Sequence, residues 1–557
     1  MLADLLHPLC RMAVYASFGF FLIIVTVGLY RVTLHPLARV PGPRLARLSN
    51  IWYARQITKG RAVQLGLELH KKYGDVVRVG PNEVWLNSKE AFDQIYCAGK
   101  GFEKSDFYCT ALSRPYVDWK LNAHFPDTLD LLSERDMKRY RLQRRLIGRV
   151  YSAANVSRYE EVIDSTLKLA VKRVSSFQGQ EIDLCEWMHI ITVECLGAAV
   201  LSWSPGMLRH ATDWGTLTHS YRGWRRKSLF GVFPTAKKLE RWSPDLGRHF
   251  SSLWGVTYKT PRDFKTFFPA VNKLIVRRIK AVLGPNPRKD KRVDLLSDLI
   301  QLHRDKPDFT EDYLRKMAVT NFGAGHETMA STLTAAVAMI ASHRHVQTRV
   351  EDELRTTNEA LAYAGGSRLP YTRAAIREAM RLHPVVAMSL ARNTPSPGLH
   401  LHGFYLPPNT TVGCSPVSLH RNEDIYGAKA DCYIPSRWLG GEAATGPGDG
   451  PTVGTLRAME KYSLNWGGGS RSCPGRNLAE LMVFKVVATL FANFDVEVSI
   501  PGDADKEAYF LSMLSGVKEW IACRMFLLAA VELPFAVRAP EVEVEVAVAV
   551  AANAMTP

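Results

Sequence analysis

The sequence predicts one large domain with long internal helices, carried behind a single N-terminal membrane-spanning helix. Three observations lead there. Length alone would allow three or four domains, yet no low-complexity linker divides the 557 residues before about the last forty, and no internal repeat is visible. Hydrophobic residues make up 46% of the chain, ample for a large core. Ala13 to Tyr30 carries no charge at all.

As a helix, Ala13 to Tyr30 spans about 27 Å, enough for a bilayer core. Arg31, Arg39, Arg44, Arg47, Arg55, Lys59 and Arg61 follow it, with no acid between Asp4 and Glu68, and only Arg11 lies before it. The positive side is therefore the C-terminal side, which puts the main domain in the cytosol. A cleaved signal peptide is the competing reading, but the apolar run is long for one and no small-x-small site follows. Pro36, Pro41 and Pro43 make a stiff, non-helical elbow. The expected division is 1–12 lumenal, 13–30 anchor, 31–50 basic proline-rich hinge, 51–518 catalytic domain and 519–557 an atypical tail.

The net charge is +17. Such a balance suits nucleic acid, an anionic membrane surface or an acidic protein partner. No nucleic-acid motif accompanies it, which leaves the latter two. Nine cysteines, none in a Cys-x-x-Cys pair, argue against zinc ribbons and redox dithiols and fit a reducing compartment.

A helical pattern runs from about Glu311 to Ser342, with a capping box at Asp308 to Glu311 and Thr310 as the alternative cap. Two glycines, Gly323 and Gly325, sit in its middle and each costs about 1 kcal/mol relative to alanine. Space for a bulky planar ligand, or an opening of the hydrogen-bond ladder, would offset that. Glu327 and Thr328 beside them form an acid–alcohol pair of the kind that relays protons. Glu378-Ala379-Met380-Arg381 places opposite charges at i, i+3 on a helix that Leu382-His383-Pro384 ends. Finally, Trp466-Gly-Gly-Gly-Ser-Arg-Ser-Cys-Pro-Gly475 sets Cys473 in a glycine-rich loop before a helical run, Asn477 to Phe491. Such a loop aims N–H groups at the sulfur and suits a thiolate ligand to haem iron, with Arg471 placed to pair with a propionate. A glycine-rich turn with a free cysteine is the plainer reading of the loop alone.

That loop resembles the cytochrome P450 signature Phe-x-x-Gly-x-Arg-x-Cys-x-Gly at every position but the first, where Trp466 stands for Phe. Ala324-Gly325-His326-Glu327-Thr328, about 150 residues earlier, resembles the family's oxygen-binding segment. Glu378 and Arg381 with Arg437 of Tyr433-Ile434-Pro435-Ser436-Arg437-Trp438 resemble its structural triad. His35-Pro36-Leu37 and Val40-Pro41-Gly42-Pro43 resemble the hinge of microsomal members. The resemblance covers roughly Pro36 to Lys518.

The resemblance implies a mainly α fold with a small β lobe, the cytochrome P450 fold, and haem b held by Cys473 as axial ligand. It implies NADPH-dependent monooxygenation, with Glu327 and Thr328 as catalytic proton donors and Ala324 and Gly325 against the cofactor. Arg392, Arg144 and Arg471 would face the propionates, with Tyr140 standing where the family has Trp or His. Glu378, Arg381 and Arg437 would hold the fold. Electrons would come from a separate NADPH–cytochrome P450 reductase, with cytochrome b5 as a further donor, and the location would be the endoplasmic reticulum membrane. Lys138, Arg139, Arg141, Arg145 and Arg149 read either as a solvated face or as a docking surface for the acidic reductase.

Val385 to Ser389 should line an apolar substrate pocket. The N-terminal region, with Tyr73 to Gly80, looks like fungal secondary-metabolism members, and a terpenoid or polyketide-derived substrate follows from that. Leu229 to Pro234, flanked by lysines and arginines, reads as a membrane-dipping entrance loop or as a core turn. Gly440 to Pro451 reads as a flexible insertion, and Glu541 to Val548 alternates like an exposed strand or belongs to a disordered tail. Two rivals remain: a haem-thiolate isomerase or dehydratase needing no O₂, and a non-catalytic haem- or ligand-binding membrane protein.

Overall fold

The computed structural model describes residues 2–111, 116–117, 123–124, 131–256, 260, 264–287, 289–356, 363, 369–440, 452–499 and 521–527. Most of the insertion 440–451, and the tail from 528 with Glu541 to Val548, lie outside the described residues. The fold is mainly helical with small sheets.

Helix α1, Leu2–Thr33, begins the chain. Its segment Arg11–Thr33 has a mean hydropathy of 2.2 and is wholly unburied, as a bilayer anchor requires. A second apolar helix, Leu184–Leu201, is 89% buried over the same kind of window and belongs to the core. The elbow after α1 is gripped by Arg78, whose side chain is fully buried. Its guanidinium donates to the carbonyls of Arg31 (2.9 Å), Leu37 (3.2 Å), Pro81 (2.7 Å) and Gly80 (3.3 Å).

Strands β1 (Val76–Gly80), β2 (Glu83–Leu86), β3 (Glu103–Lys104), β4 (Ile182–Asp183), β5 (Arg392–Asn393), β6 (Thr411–Cys414), β7 (Phe494–Ser499) and β8 (Ala522–Leu527) build the two larger sheets. The five-stranded sheet runs β1-β2-β6-β5-β3, with β6 parallel to β2, Thr411 opposite Glu83. The three-stranded sheet runs β7-β8-β4, all antiparallel. Strand β8 lies beyond residue 518, yet it pairs along its whole length with β7.

The helices that carry the site are α2 (Lys89–Ile95), α3 (Met137–Ile147), α4 (Leu184–Leu201), α5 (Thr216–Val232), α6 (Glu311–Ser342), α7 (Pro370–Leu382) and α8 (Arg476–Asn493). Helix α6 is central, and most of its side chains from Met329 to Ile340 are buried. Thr310 caps it, accepting from Tyr313 N, so the alternative cap is the one used and Asp308 is not. Gly325 marks where α6 approaches α4: a Cβ there would lie 3.0 Å from Leu196 Cδ2, too close for ordinary contact.

Leu229 to Val232 are buried in the last turn of α5, where Gly231 lies against Phe107. The core reading of that segment holds and the membrane-dipping one does not. The exposed large apolar residues of this region, Trp242, Leu246 and Leu253, come later, on the helices Pro234–Trp242 and Pro244–Leu253.

Candidate functional site

Cys473 closes its own loop. Its N–H donates to Trp466 O at 2.7 Å, and the following helix α8 starts three residues on. The N–H groups of Gly475 and Arg476 point at the sulfur, as the free first donors of a helix do. Burial pushes the thiol up, while those two donors and the charges of Arg144 and Arg476 pull it down. The residue itself is exposed, and its loop borders, at Trp466, a cleft shared with α6.

Across the cleft lies α6. Ala324 is exposed in the middle of this largely buried helix, and Thr328 one turn on is only partly covered. The Thr328 hydroxyl donates to Ala324 O at 2.7 Å. Thr328, Met329 and Thr332 share a small cavity with Met380, His383, Val385, Trp466, Ala479 and Val483, so α6, α7, α8 and the cysteine loop meet there. Of the stretch expected to line the pocket, Val385 does so. Ala387 and Met388 instead pack into the core beside Ile57 and Leu65, and Ser389 Oγ lies against Gly413. Gly325 turns toward Leu196, not toward the cleft.

Glu327 is buried and points the other way, toward α5. Trp224 Nε1 donates to its Oε2, and His326 Nε2 lies 3.5 Å from its Oε1. Burial alone would raise this carboxyl. His326, Lys227 and the Ser220 hydroxyl outweigh it and leave Glu327 below the usual carboxylate range.

The cations gather at one side of the cleft. Arg471 donates to Glu134 O (2.5 Å) and Arg135 O (2.8 Å), just before α3, and its guanidinium lies 4.0 Å over the Tyr140 ring. Burial and the nearby Arg392 lower Arg471 to about 10. Arg392 is buried on β5 and donates to Ala391 O (3.0 Å), Leu390 O (3.2 Å) and Tyr108 Oη (3.3 Å). Arg144 sits two turns into α3. Arg471 and Arg392 line one further pocket with Lys100 and Arg141, and no acid lines it. An anionic cofactor edge fits such a set.

The charged triad lies behind the cysteine loop. Glu378 is fully buried and accepts from Arg381 Nε (2.8 Å) and Nη2 (2.7 Å), Arg437 Nε (3.2 Å), Trp438 Nε1 (2.8 Å) and Ile434 N (3.1 Å). Arg381 also donates to His420 O, Ala430 O and Cys432 O. His420 ties this network to the loop: Nδ1–H donates to Arg381 O (2.9 Å), and Nε2 accepts from Leu464 N (2.8 Å).

The Glu378–Arg381–Arg437 contacts expected from the sequence are present, and Cys473 and Thr328 stand on the loop and helix expected of them. Sequence reasoning missed Trp224, His420 and Tyr96, which contact the site from 103, 44 and over 300 residues away in sequence. No local pattern marks any of them.

The donor set fits a haem: one cysteine aimed by backbone N–H groups, an opposed helix opened at Ala324, and arginines without acids at the rim. Residues 41–517 match the cytochrome P450 family. The chain is 52% identical over 525 residues to cytochrome P450 monooxygenase sdnT of Sordaria araneosa, covering 89% of this chain and 92% of that one. It is 28% identical to the fusicoccadiene 8-ol C-16-hydroxylase of Phomopsis amygdali, over 84% and 85% of the two chains. It is 25% identical to a pisatin demethylase of Fusarium vanettenii, over 85% and 87%.

Proposed function

The chain belongs to the cytochrome P450 family and is a monooxygenase of it, and from that premise we propose that it hydroxylates an apolar small molecule of fungal secondary metabolism, terpenoid or polyketide-derived. Electrons reach it from NADPH through a separate membrane-bound reductase, with cytochrome b5 as an auxiliary donor. The observation that carries this reading is the meeting of the Cys473 loop, through Trp466, with α6 at Thr328 in one cavity, Glu327 standing next to Thr328 with its carboxylate turned to α5. A relative whose name gives it as a hydroxylase of fusicoccadiene 8-ol supports oxidation at carbon. The apolar cavity lining of Met329, Met380, Val385 and Val483 supports the substrate's polarity.

Haem, when bound, supplies the activation of O₂. The chain's own part is threefold. Cys473 gives an anionic ligand whose charge is spread into the N–H groups of Gly475 and Arg476. Thr328 holds a hydroxyl at the cleft, parked on Ala324 O, from which it turns to donate. Glu327, one residue away, holds a carboxylate that takes a proton from solvent water and, as the carboxylic acid, passes it to that hydroxyl, returning to the carboxylate. Arg144, Arg392 and Arg471 would hold the propionates, and Tyr140 supports Arg471 by stacking. Glu378, Arg381 and Arg437 hold the wall behind the loop.

Lys138, Arg141, Arg145 and Arg149 are exposed on or next to α3 and offer a basic face to an acidic reductase. The anchor α1 and its basic flank fit residence in the endoplasmic reticulum membrane with the domain cytosolic.

The test is the carbon-monoxide difference spectrum of the reduced protein in membranes, followed by turnover. The strongly red-shifted Soret band of thiolate-bound iron is expected, lost in Cys473→Ala, together with product formation that needs both NADPH and O₂. A band at the unshifted position would refute Cys473 as ligand. Product without O₂ would favour an isomerase or dehydratase. Ligand binding surviving in Cys473→Ala with no turnover in the parent would favour a binding protein.

A further inference from the structure

Glu327 and Thr328 are not bonded to each other: the hydroxyl donates to Ala324 O, and the carboxylate is turned onto α5. Each carboxylate oxygen has its own neighbour, Trp224 Nε1 at Oε2 and His326 Nε2 at Oε1. The His326 ring cannot swing. Its Nδ1 is 2.8 Å from Phe322 O, which only accepts, so Nδ1 donates there, and Nε2, turned to Glu327 and Ser220 Oγ (3.4 Å), holds the carboxylate only as a second N–H. Phe267, Phe268 and His189 pack edge-on around it at 5.2–5.8 Å. Trp224 is steadied by Lys227, whose ammonium lies 4.3 Å over the indole.

We propose that Trp224 and His326 are positioning residues for proton delivery, holding the Glu327 carboxylate off Thr328 until it is needed. This rests on the reading that Glu327 and Thr328 deliver protons. The charged and titratable groups that face Glu327 are His326 on its own helix and His219 and Lys227 on α5, with His189 on α4 behind His326. A donor removed from a carboxylate destabilises its charged form. Loss of the Trp224 N–H therefore makes Glu327 take up its proton at higher pH.

The experiment compares Trp224→Phe, Trp224→His, His326→Phe and Glu327→Gln as holoenzymes with normal carbon-monoxide spectra. Two quantities are read across pH: product formed per NADPH consumed, and the infrared carboxyl stretch that Glu327→Gln deletes. In Trp224→Phe that band is expected to appear about one pH unit higher than in the parent. Product per NADPH is expected to fall about threefold, with near-parental behaviour in Trp224→His, which keeps a ring N–H. An aromatic packing role alone would leave both readouts unmoved in Trp224→Phe. If Glu327→Gln lowers coupling while Trp224→Phe and His326→Phe change neither readout, the positioning role is overturned. If Glu327→Gln itself leaves coupling intact, the proton-delivery reading falls instead, and this inference with it.

Discussion

At Gly469 the backbone sits at φ +55°, and a Cβ would overlap the carbonyl oxygen of Tyr96. At Gly468 a Cβ would lie 2.6 Å from Tyr96 Cβ. Tyr96 cannot yield, because its hydroxyl donates to Leu390 O (3.1 Å) and accepts from Cys414 N (2.8 Å). The glycines of the cysteine loop thus answer to a protein neighbour as much as to a flat cofactor. That partner was not legible in the sequence, since it follows α2, far from the loop it shapes. Gly469→Ala combines a strained φ with a backbone collision. It should abolish the red-shifted carbon-monoxide band or convert it to the unshifted one, measured on membranes with equal protein. A normal band would show that the loop can shift without losing its ligand.

At the scale of the element, the end of α7 is held by charge, and the i, i+3 spacing of Glu378 and Arg381 did reveal it. Burial decides its importance. An exposed pair of this spacing is worth a few tenths of a kcal/mol. Here Glu378→Ala would strand Arg381, Arg437 and the Trp438 N–H in the interior, a loss of about 3–5 kcal/mol, to be measured as thermal stability or recovered holoenzyme. His420, invisible as a motif, adds a pH dependence. Burial and the nearby arginines lower it from 6.5 to about 3, against the opposing pull of Arg381 O. Its folded pKa is therefore below its unfolded one, so between these values the unfolded chain binds the extra proton. This contribution is fully present above about pH 6.5 and falls by about 1.4 kcal/mol per pH unit below it. His420→Gln, which keeps one donor and one acceptor, should have a flatter thermal midpoint between pH 6.5 and 4.5 than the parent. An equal slope would rule the histidine out as the source.

At the scale of the molecule, what periodicity and caps encode was readable: α6 runs from Glu311 to Ser342 as expected, α8 within two residues, and the apolar N-terminal run forms one helix with no charge between Arg11 and Arg31. What depends on distant chain segments was not. Leu229 to Pro234 has the composition of a membrane loop, but most of it is buried because Phe107 lies on it. Ala387 and Met388 look like pocket residues and are core because the N-terminal helices cover them. Strand β8 carries no signal of its own and is fixed by β7 and β4.

Arg78 also joins parts that are far apart in the chain. It holds the last turn of the membrane helix, the elbow and the turn after β1 through carbonyl oxygens alone. Every residue type offers that same oxygen. A substitution in the tether that leaves the backbone's course intact therefore leaves this clasp intact, whereas one at Gly42, where a Cβ would overlap Arg78 O, would prise it open.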